Sequence, residues 1–514
     1  MRRWIAMVFA LQFGLVASVQ AQETQDTAAP GSAIAKLTRD IDAHIGDAAF
    51  ADASWGIKVV SLDTGKTLYA HNPDKLFVPA STAKLYTAAL ALDTFGSDHR
   101  IATTLFATEK TRRSGEIWGD LVLVGYGDPT LGFDKRSSWA DVLATALRKT
   151  GTTEVRGSLI ADATWFAAPL YGSGWEAADL QSWFGAPVSA LSVDENIVRV
   201  EVRPAPQPGA NARIAFEPPG SAPILINNLR TLRAPAPTDI SLYRAPGSEV
   251  LHAFGTIASN AAPQFYRQAL HDPALIAAEQ LRAALLRQGV VVKGKSRSVY
   301  WPEHDDALSS DKLHRIADVW SPPLSEIVTR GLKVSQNLYL QNLLLMVGAK
   351  AAEEEKLAGR ESPVFRSTES RGIEALRRFL QRIGVPMEGV LIEDGPGLSR
   401  RDLTSASALT SLLLHMGDAP NGLAFRQGLP EAGVDGSLTW RMRNSAAKGR
   451  IHAKTGTMAY TYALAGYAQT AANERLAFTI LLNNYRRPRG SDRASAELDE
   501  IAILLAELNE RSAP

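Results

Sequence analysis

The sequence predicts a multidomain α/β protein of the α+β type, in which one domain is interrupted by insertions. The chain of 514 residues is long enough for two to four domains, each with a sizeable core. Segments with helical periodicity are mixed with short runs that are typical of strands. Two short strings that we expect to meet in space begin at Ser81 and at Ser335, 254 positions apart. The excess of chain between them predicts inserted domains.

The N-terminal residues 1–21 have the pattern of a secretory signal peptide. Arg2 and Arg3 precede an apolar run over residues 5–16, and small residues end the segment at Ala21. An uncleaved anchor is disfavoured because the run is shorter than the ~20 residues of a membrane-spanning helix. No later stretch is apolar enough to span a bilayer. We therefore expect secretion to a bacterial periplasm, a flexible polar leader over residues 22–33, and no stable membrane span.

Within the inserted region, helix and strand patterns flank a stretch rich in proline and glycine. That stretch runs from residue 187 to 259, and the alternation of residues 197–202 is typical of a half-buried strand, so it predicts a small, mostly β unit. The flanking parts predict a mixed α/β unit with these elements: a strand at 117–124, a helix near Trp139, a strand at 158–161, a helix at 273–286 and a strand at 290–292.

Three folded parts follow from these patterns, and the chain contains no internal repeat. The first is a main domain formed by residues 34–98 and 305–514. The second is an inserted α/β domain of residues 99–186 and 260–304. The third is the mostly β domain of residues 187–259, nested inside the second.

Composition excludes several classes of function. The 55 basic and 54 acidic residues nearly cancel, which disfavours nucleic acid and an electrostatic hold on a membrane as partners. Cysteine is absent, so the chain has neither a disulfide framework nor a thiol nucleophile. The nine histidines form no pair at the spacing of a zinc site, and no metal or other cofactor is expected.

Three strings carry the chemistry: Ser81-Thr-Ala-Lys84, Ser335-Gln-Asn337 and Lys454-Thr-Gly456. A serine hydroxyl is a weak nucleophile until a neighbouring base takes its proton, and a lysine one helical turn away can serve as that base. A second serine and a second lysine then supply proton relay and carboxylate binding. The ordered set is a recognised hypothesis for penicillin-binding proteins and serine β-lactamases.

Chance matches to these strings also occur, and their contexts separate them from the ordered set. Ser309 lies in a polar stretch typical of an exposed loop, whereas Ser81 opens a run apolar enough for a buried helix. Ser445 lies too close to Lys454 for a Ser-x-Asn string to stand between them. The second Lys-Thr-Gly string, at Lys149, closes an amphipathic helix, where a glycine stop explains it.

Four further strings resemble those of the class C low-molecular-mass penicillin-binding proteins, the D-alanyl-D-alanine carboxypeptidase/endopeptidase family. The resemblance covers nearly all of the mature chain, including the large insertion. Two positions depart from the family pattern: Tyr126 replaces a small residue and Pro396 replaces a serine. The strings are Gly125-Tyr-Gly-Asp-Pro-Thr-Leu131, Ala186-Pro-Val-Ser-Ala-Leu-Ser-Val-Asp-Glu-Asn196, Asp394-Gly-Pro-Gly-Leu-Ser-Arg400 and Leu429-Pro-Glu-Ala-Gly-Val-Asp-Gly-Ser-Leu438.

The resemblance implies a serine β-lactamase/transpeptidase-like catalytic domain, an antiparallel sheet flanked by helices, with two nested insertions. It implies that Ser81 attacks the carbonyl of the penultimate D-Ala, and that Lys84 is the base, with a pKa lowered by burial and by Lys454. Ser335 then relays a proton to the leaving amine, and Asn337 binds the substrate amide. The structural alternatives are a helix-capping serine at Ser81, an exposed helix lysine at Lys84, and a polar turn at Ser335 and Asn337.

The Lys-Thr-Gly string implies the binding of a carboxylate. Lys454 and Thr455 are expected to hold the terminal carboxylate of the substrate. Gly456 is expected to let the substrate backbone approach, although such a glycine also marks bulges. By family geometry the oxyanion hole is formed by the backbone N–H groups of Ser81 and Thr457.

Three more positions match family residues that recognise the stem peptide of peptidoglycan. Asp179 matches an acidic residue beside the free amino group of a diaminopimelate side chain, and Arg400 and Met458 match two positions of the surrounding wall. A surface carboxylate is the alternative for Asp179. The expected partners are peptidoglycan peptides ending in D-Ala-D-Ala and, as inhibitors, β-lactam antibiotics.

Two other functions remain open from the sequence. A serine β-lactamase shares the catalytic set, but the class A glutamate string that activates water is absent between Asn337 and Lys454. A catalytically silent peptidoglycan-binding scaffold is the other, and the complete motif set argues against it. The sequence does not decide between trimming a terminal D-Ala and cutting cross-links.

Overall fold

The computed structural model describes residues 31–133, 138–303, 308, 312–360, 362–486 and 495–513. The predicted signal peptide, most of the predicted leader and Ser309 lie outside these residues. The chain begins with α1 (Ala33–Ile45), β1 (Ser54–Ser61), β2 (Thr67–His71) and α2 (Lys84–Phe95). The insertion then opens with β3 (Ala102–Ala107), β4 (Glu116–Ile117), β5 (Leu121–Gly125), α3 (Trp139–Lys149), β6 (Glu154–Val155) and β7 (Leu159–Asp162).

The middle of the insertion contains six consecutive strands. They are β8 (Ile197–Arg203), β9 (Arg213–Glu217), β10 (Ile224–Leu232), β11 (Asp239–Tyr243), β12 (Val250–Ala258) and β13 (Gln264–Ala269). The chain returns through α4 (Pro273–Arg287), β14 (Val291–Val292), β15 (Ser296–Val299) and β16 (His314–Trp320). Short 3₁₀ turns lie at Ala48–Phe50, Ala80–Ala83, Trp183–Gly185, Asp194–Asn196, Pro219–Ser221, Met387–Gly389 and Gly436–Leu438.

The C-terminal part carries most of the helices and three long strands. Its helices are α5 (Leu324–Lys333), α6 (Asn337–Leu357), α7 (Thr368–Arg382), α8 (Ala406–Asp418), α9 (Gly422–Gln427) and α10 (Ala496–Glu507). Its strands are β17 (Val390–Leu391), β18 (Leu403–Thr404), β19 (Ile451–Met458), β20 (Thr461–Gln469) and β21 (Arg475–Asn483).

The main sheet is antiparallel and joins both ends of the chain in the order β19-β20-β21-β1-β2. One face packs on α1 and α10, where Ile41 and Ile501 meet sheet residues such as Ile57 and Phe478. The other face packs on α8 and the helices behind it. Burial of both faces explains why the inner strands β20 and β21 are largely apolar. The sheet is therefore the middle layer between two layers of helices, and β19 is at its edge.

The inserted region is built on separate sheets. A mixed five-stranded sheet has the order β15-β7-β5-β3-β16, and α3 and α4 pack beside it. The six strands in its middle form two three-stranded sheets, β13-β8-β9 and β10-β12-β11, around a small core of their own that includes Val200, Leu229 and Ile257.

Two strands lie outside the limits that the sequence suggested. β13 was assigned to the inserted α/β domain but pairs with β8 of the nested part, and β16 was assigned to the main domain but pairs with β3 of the insertion. Both partners are distant in sequence, and pairing of this kind leaves no local pattern. We therefore place the end of the nested part near residue 269 and the return to the main domain near residue 321. None of the helices in the described ranges is long and apolar enough to cross a membrane.

Candidate active site

Ser81 stands at the start of a buried helix. The 3₁₀ turn Ala80–Ala83 leads directly into α2, whose residues from Lys84 to Leu92 are all buried. These residues favour a helix because most are alanine and leucine. Ala80 has a left-handed backbone (φ 47°), which turns the chain just before the serine. Ser81 itself is half-buried and caps neither helix, so the capping alternative is not what the structure shows.

Lys84 is fully buried and its amine lies against three oxygen atoms. Its Nζ is 2.8 Å from Ser81 Oγ, 2.6 Å from Asn337 Oδ1 and 2.8 Å from the carbonyl oxygen of Pro396. Burial lowers the pKa of Lys84 to about 7, and the carboxylates of Asp394 and Asp402 act in the opposite direction. Lys84 is therefore not an exposed helix lysine, and burial is the dominant cause of its lowered pKa.

The contacts of Lys84 fit a neutral amine. Two of the three oxygen atoms, Asn337 Oδ1 and the Pro396 carbonyl, only accept hydrogen bonds. They occupy the two N–H groups of an uncharged amine, and its lone pair is then free to accept from the Ser81 hydroxyl. This is the arrangement that a serine nucleophile with a lysine base requires.

A second serine–lysine pair lies opposite the first. Ser335 stands between α5 and α6 with a left-handed backbone (φ 58°), and Asn337 is the first residue of α6. Lys454, buried in β19, donates to Ser335 Oγ at 2.9 Å and to the carbonyl oxygen of Thr455 at 2.8 Å. Burial, followed by the positive charge of Lys84, lowers the pKa of Lys454. The three strings predicted from the sequence thus meet in one place.

The edge strand β19 presents the remaining residues of the Lys-Thr-Gly string. Thr455 Oγ1 is 2.7 Å from Ser437 Oγ. Ser437 was not among the predicted site residues, although it lies in one of the family-like strings. Thr457 is exposed and Met458 is half-buried further along the strand. β19 is at the edge of the sheet, and its first residues, 451–453, pair with residues 430–432. Its later part, from Thr455 to Met458, leaves one side of the backbone open to an extended peptide.

Gly456 is required for a close approach, but the approach is to the protein itself. A Cβ at this position would lie 2.7 Å from the carbonyl oxygen of Pro79 and 3.3 Å from the Cβ of Ala80. The pairing of β19 with β20 runs through Gly456 without a shift, so the bulge alternative is not observed. The glycine therefore lets β19 pack against the turn that carries Ser81.

The loop after β17 lies against Lys84, and the sequence did not lead us to assign a role to its residues Asp394 and Asp402. Asp394 is buried and accepts hydrogen bonds from the backbone N–H groups of Gly397, Leu398 and Ser399, and from Trp175 Nε1 at 2.8 Å. Burial and the nearby charge of Asp394 raise the pKa of Asp402. The family-like string Asp-Gly-x-Gly was the available signal for this loop.

The departure of Pro396 from the family pattern leaves the contact with Lys84 intact. The contact uses the backbone carbonyl oxygen, which proline retains. This loop therefore positions the carbonyl that accepts from the Lys84 amine, whatever side chain stands there.

The side chains of Asp179 and Arg400 form an ion pair. Arg400 Nη1 donates to Asp179 Oδ2 at 2.5 Å, and Arg400 Nε lies 3.1 Å from Glu176 Oε1. Asp179 is only 5% exposed, so it is not the surface carboxylate of the alternative interpretation. The two acidic side chains and one guanidinium leave this group with one net negative charge. In the described residues, no group of three potential metal-ligating side chains is present.

Comparison with known proteins gives consistent matches over nearly the whole chain. Residues 37–507 match the D-Ala-D-Ala carboxypeptidase 3 (S13) family. A D-alanyl-D-alanine carboxypeptidase of Actinomadura sp. (strain R39) is 34% identical over 498 residues, which cover 95% of this chain and 87% of that protein. The D-alanyl-D-alanine carboxypeptidase DacB of Haemophilus influenzae is 24% identical over 437 residues, covering 84% of this chain and 85% of DacB.

Solved structures give the same picture of the fold. The crystal structure of penicillin binding protein 4 from Haemophilus influenzae matches with a TM-score of 0.76 at 23% identity and covers 90% of this chain and 97% of that chain. A complex of the same protein with a β-lactam matches with a TM-score of 0.69 at 21% identity, covering 90% and 97% of the two chains. The predicted fold class is confirmed.

Proposed function

This chain belongs to the D-Ala-D-Ala carboxypeptidase 3 (S13) family, and we propose that it hydrolyses peptidoglycan stem peptides through an acyl-enzyme on Ser81. The observation that carries the assignment to Ser81 is its contact with Lys84, a fully buried lysine whose Nζ lies 2.8 Å from the serine oxygen. Burial supplies the lowered pKa that a lysine base needs near neutral pH.

In the acylation step, Ser81 Oγ attacks the carbonyl carbon of the penultimate D-Ala while Lys84 takes the hydroxyl proton. The carbonyl oxygen, now negative, is held by the backbone N–H groups of Ser81 and Thr457, which act as preorganised donors. The C–N bond then breaks, and the proton that Lys84 took passes to the amine of the leaving D-Ala through Ser335, which is hydrogen-bonded to Lys454, so Lys84 is neutral again. In the second step Lys84 takes a proton from the water that attacks the ester, and returns it to Ser81 Oγ as the ester bond breaks.

We assign the orientation of the substrate to the edge strand β19 and to the Ser335-Gln-Asn337 string. Lys454 and Thr455 bind the terminal carboxylate, and Ser437 holds the Thr455 hydroxyl in place. Asn337 binds the substrate amide with the side-chain NH₂ group that now donates to the Phe184 carbonyl oxygen at 2.8 Å. The substrate backbone pairs with the open edge of β19 beside Thr457.

The recognition of diaminopimelate is assigned to the cluster around Asp179. A free ammonium group at the end of the substrate side chain is attracted by the net negative charge of Asp179, Glu176 and Arg400. Arg400 and Met458 contribute to the wall around it. Residues 1–21 direct the chain to the periplasm, where this substrate is found, and are removed on secretion.

Labelled penicillin tests the nucleophile. The β-lactam carbonyl occupies the place of the substrate carbonyl, so wild-type protein forms a covalent adduct on Ser81, and the Ser81→Ala variant folds but forms none. Mass spectrometry of the adduct gives the attachment site, and an adduct on Ser445 or Ser309 would contradict the assignment. Long-lived labelling favours the peptidase, rapid release favours a β-lactamase, and the absence of any adduct favours a silent scaffold.

Digestion of purified sacculi separates the two peptidase activities. A carboxypeptidase releases free D-Ala from pentapeptide stems, and an endopeptidase lowers the fraction of cross-linked dimers. We expect both products with wild-type protein and neither with Ser81→Ala. Dimer loss that persists in Ser81→Ala would show that a different site cuts the cross-links.

A further inference from the structure

A buried turn of the insertion reaches the loop that carries Ser335. In the turn Asp194–Asn196, all three residues have left-handed backbones, with φ values of 51°, 57° and 54°. Among residues other than glycine, Asp and Asn adopt this conformation most readily and Glu seldom does, so the conformation of Glu195 persists only where the surroundings impose it. Here Asn196 is fully buried and bonds the backbone of Pro187 and Val193. The turn is therefore built to hold its middle residue, Glu195, in one direction.

Glu195 points into the protein and receives three donors. It is 5% exposed, and its carboxylate accepts from Arg330 Nε at 2.6 Å, from the Tyr339 hydroxyl at 3.0 Å and from Gln336 Nε2 at 3.4 Å. A buried carboxylate with three such donors is compensated for its loss of hydration. Glu195 therefore connects the insertion to the main domain through buried hydrogen bonds.

The three donors surround Ser335 along the chain. Arg330 belongs to α5, which ends just before Ser335. Gln336 is the N-cap residue of α6, and Tyr339 lies in the first turn of that helix. One carboxylate consequently ties both helices that flank the second catalytic serine. Gln336 has no other partner for its buried side chain in the described structure, since its Oε1 accepts no hydrogen bond.

We propose that Glu195 is a positioning residue that holds the Ser335-Gln-Asn337 loop in its reactive geometry. This inference rests on the proposed roles of Ser335 and Asn337. Ser335 has the strained left-handed backbone of an imposed conformation, and both of its neighbouring helices are fixed by Glu195. A displacement of about 1 Å at a catalytic group can cost on the order of 100-fold in rate. The insertion therefore takes part in catalysis without touching the substrate.

The test compares acylation with stability in purified full-length mature protein. Glu195→Leu removes the carboxylate, and we expect the second-order rate of penicillin acylation to fall about ten- to hundredfold. This variant also leaves the guanidinium of Arg330 without its carboxylate partner, so we expect its melting temperature to fall. The double variant Glu195→Leu with Arg330→Leu removes both charges, and we expect its melting temperature to recover while acylation stays slow.

A matched control comes from another buried glutamate. Glu474 is fully buried and accepts hydrogen bonds from Ser61 Oγ and from the backbone N–H of Ser512. It lies just before β21, whose fifth residue, Thr479, is level with Lys454 in the sheet. Glu474→Ala should lower the melting temperature but leave the acylation rate of the folded protein unchanged. The comparison separates general stability from positioning.

Two outcomes would overturn the proposal. One is wild-type acylation by folded Glu195→Leu, and the other is recovery of acylation together with stability in the double variant. Both are measured against wild-type protein that labels on Ser81. Loss of labelling in the wild type would instead refute the proposed function, so the two failures are distinguishable.

Discussion

Burying a lysine side chain costs free energy because the ammonium group loses its hydration. Lys84 meets this cost by giving up its charge: its pKa is lowered to about 7, and two acceptors take the hydrogens of the neutral amine. The carboxylates of Asp394 and Asp402 pull the pKa upwards again. Their opposing effects leave Lys84 able to gain and lose a proton near neutral pH, which a base in a two-step reaction requires.

The pH dependence of acylation follows from the Lys84 amine. Below pH 7 the amine is protonated and has no lone pair for the Ser81 hydroxyl, so the rate of penicillin acylation should rise about tenfold per pH unit and level off above a pKa of about 7. The rate can be measured by quenching the reaction with labelled penicillin at several times, at each pH between 5 and 9. A rate that is flat or falls through pH 7 would contradict Lys84 as the base. Lys84→Arg, which stays protonated, should be inactive throughout.

Recognition of the substrate side chain is tested at Asp179. Asp179→Asn keeps the shape but removes the charge, and a charge-assisted hydrogen bond contributes about 1.5–3 kcal/mol. We expect kcat/KM to fall about ten- to hundredfold for peptides with a free side-chain amine, and penicillin acylation to change little. Glu176→Gln, at a more exposed partner of Arg400, should have a smaller effect. Equal losses with peptide and penicillin would mean that Asp179 supports the catalytic centre instead.

Close contacts between backbone segments hold the turn that carries Ser81 in place. The 3₁₀ turn before α2 is held from one side by Gly456 of β19 and from the other by Gly397 of the loop after β17. A Cβ on Gly397 would lie 2.1 Å from the carbonyl oxygen of Ala80, next to Ser81. Because these contacts are mainly with backbone atoms, a larger residue would displace the turn that carries Ser81 rather than a flexible side chain.

The Gly397→Ala variant tests this packing. Gly397 has φ 73°, so alanine adds backbone strain of about 1 kcal/mol and also displaces the turn that carries Ser81. Gly384 after α7 is the matched control, with φ 78° and open space around a Cβ. We expect similar backbone strain in both variants but an acylation rate about tenfold or more lower only in Gly397→Ala. Equal acylation rates in the two variants would show that the close contact is not needed.

The insertion consists of two parts that differ in their contacts with the main domain. The nested sheets form a unit with its own core, whereas the turn that carries Glu195 contacts the main domain. The small core of the nested sheets includes Val200, Leu229 and Ile257 and is distinct from the large core around α2 and α6. The turn that carries Glu195 lies before the first nested strand, β8, and is packed into the main domain. The insertion thus has a part that reaches the catalytic loop and a part that does not.

Removal of the outer part tests this division. Val202 of β8 pairs with Gln264 of β13, so residues 203–263 can be replaced by a two-residue Asn-Gly turn that closes a hairpin. We expect the shortened protein to be acylated by penicillin at a rate within about twofold of wild type, as is usual for distant, independent sites. Mass spectrometry of the adduct gives the rate. A folded protein that no longer acylates would show that the nested sheets support the catalytic centre.

The reaction class of this protein could be predicted from the sequence because the residues that define it form short local strings. A serine and a lysine three positions apart at the start of an apolar helix, with Ser335-Gln-Asn337 and Lys454-Thr-Gly456 after them, carry enough information to identify the reaction class and the family. The positions of α2, α3 and α4 were predictable for the same reason, since helical periodicity and stop signals are read within a few residues.

Features that depend on contacts between distant residues could be seen only in the folded protein. The pairing of β16 with β3 and of β13 with β8, the approach of Gly456 to Pro79, and the bond of Asp179 to Arg400 each join parts of the chain that have no common local pattern. The same holds for Glu195, which is an ordinary acidic residue in the sequence. It gains its importance from burial between Arg330 and Tyr339, because the energy of a charge is set by the groups that surround it in the folded state.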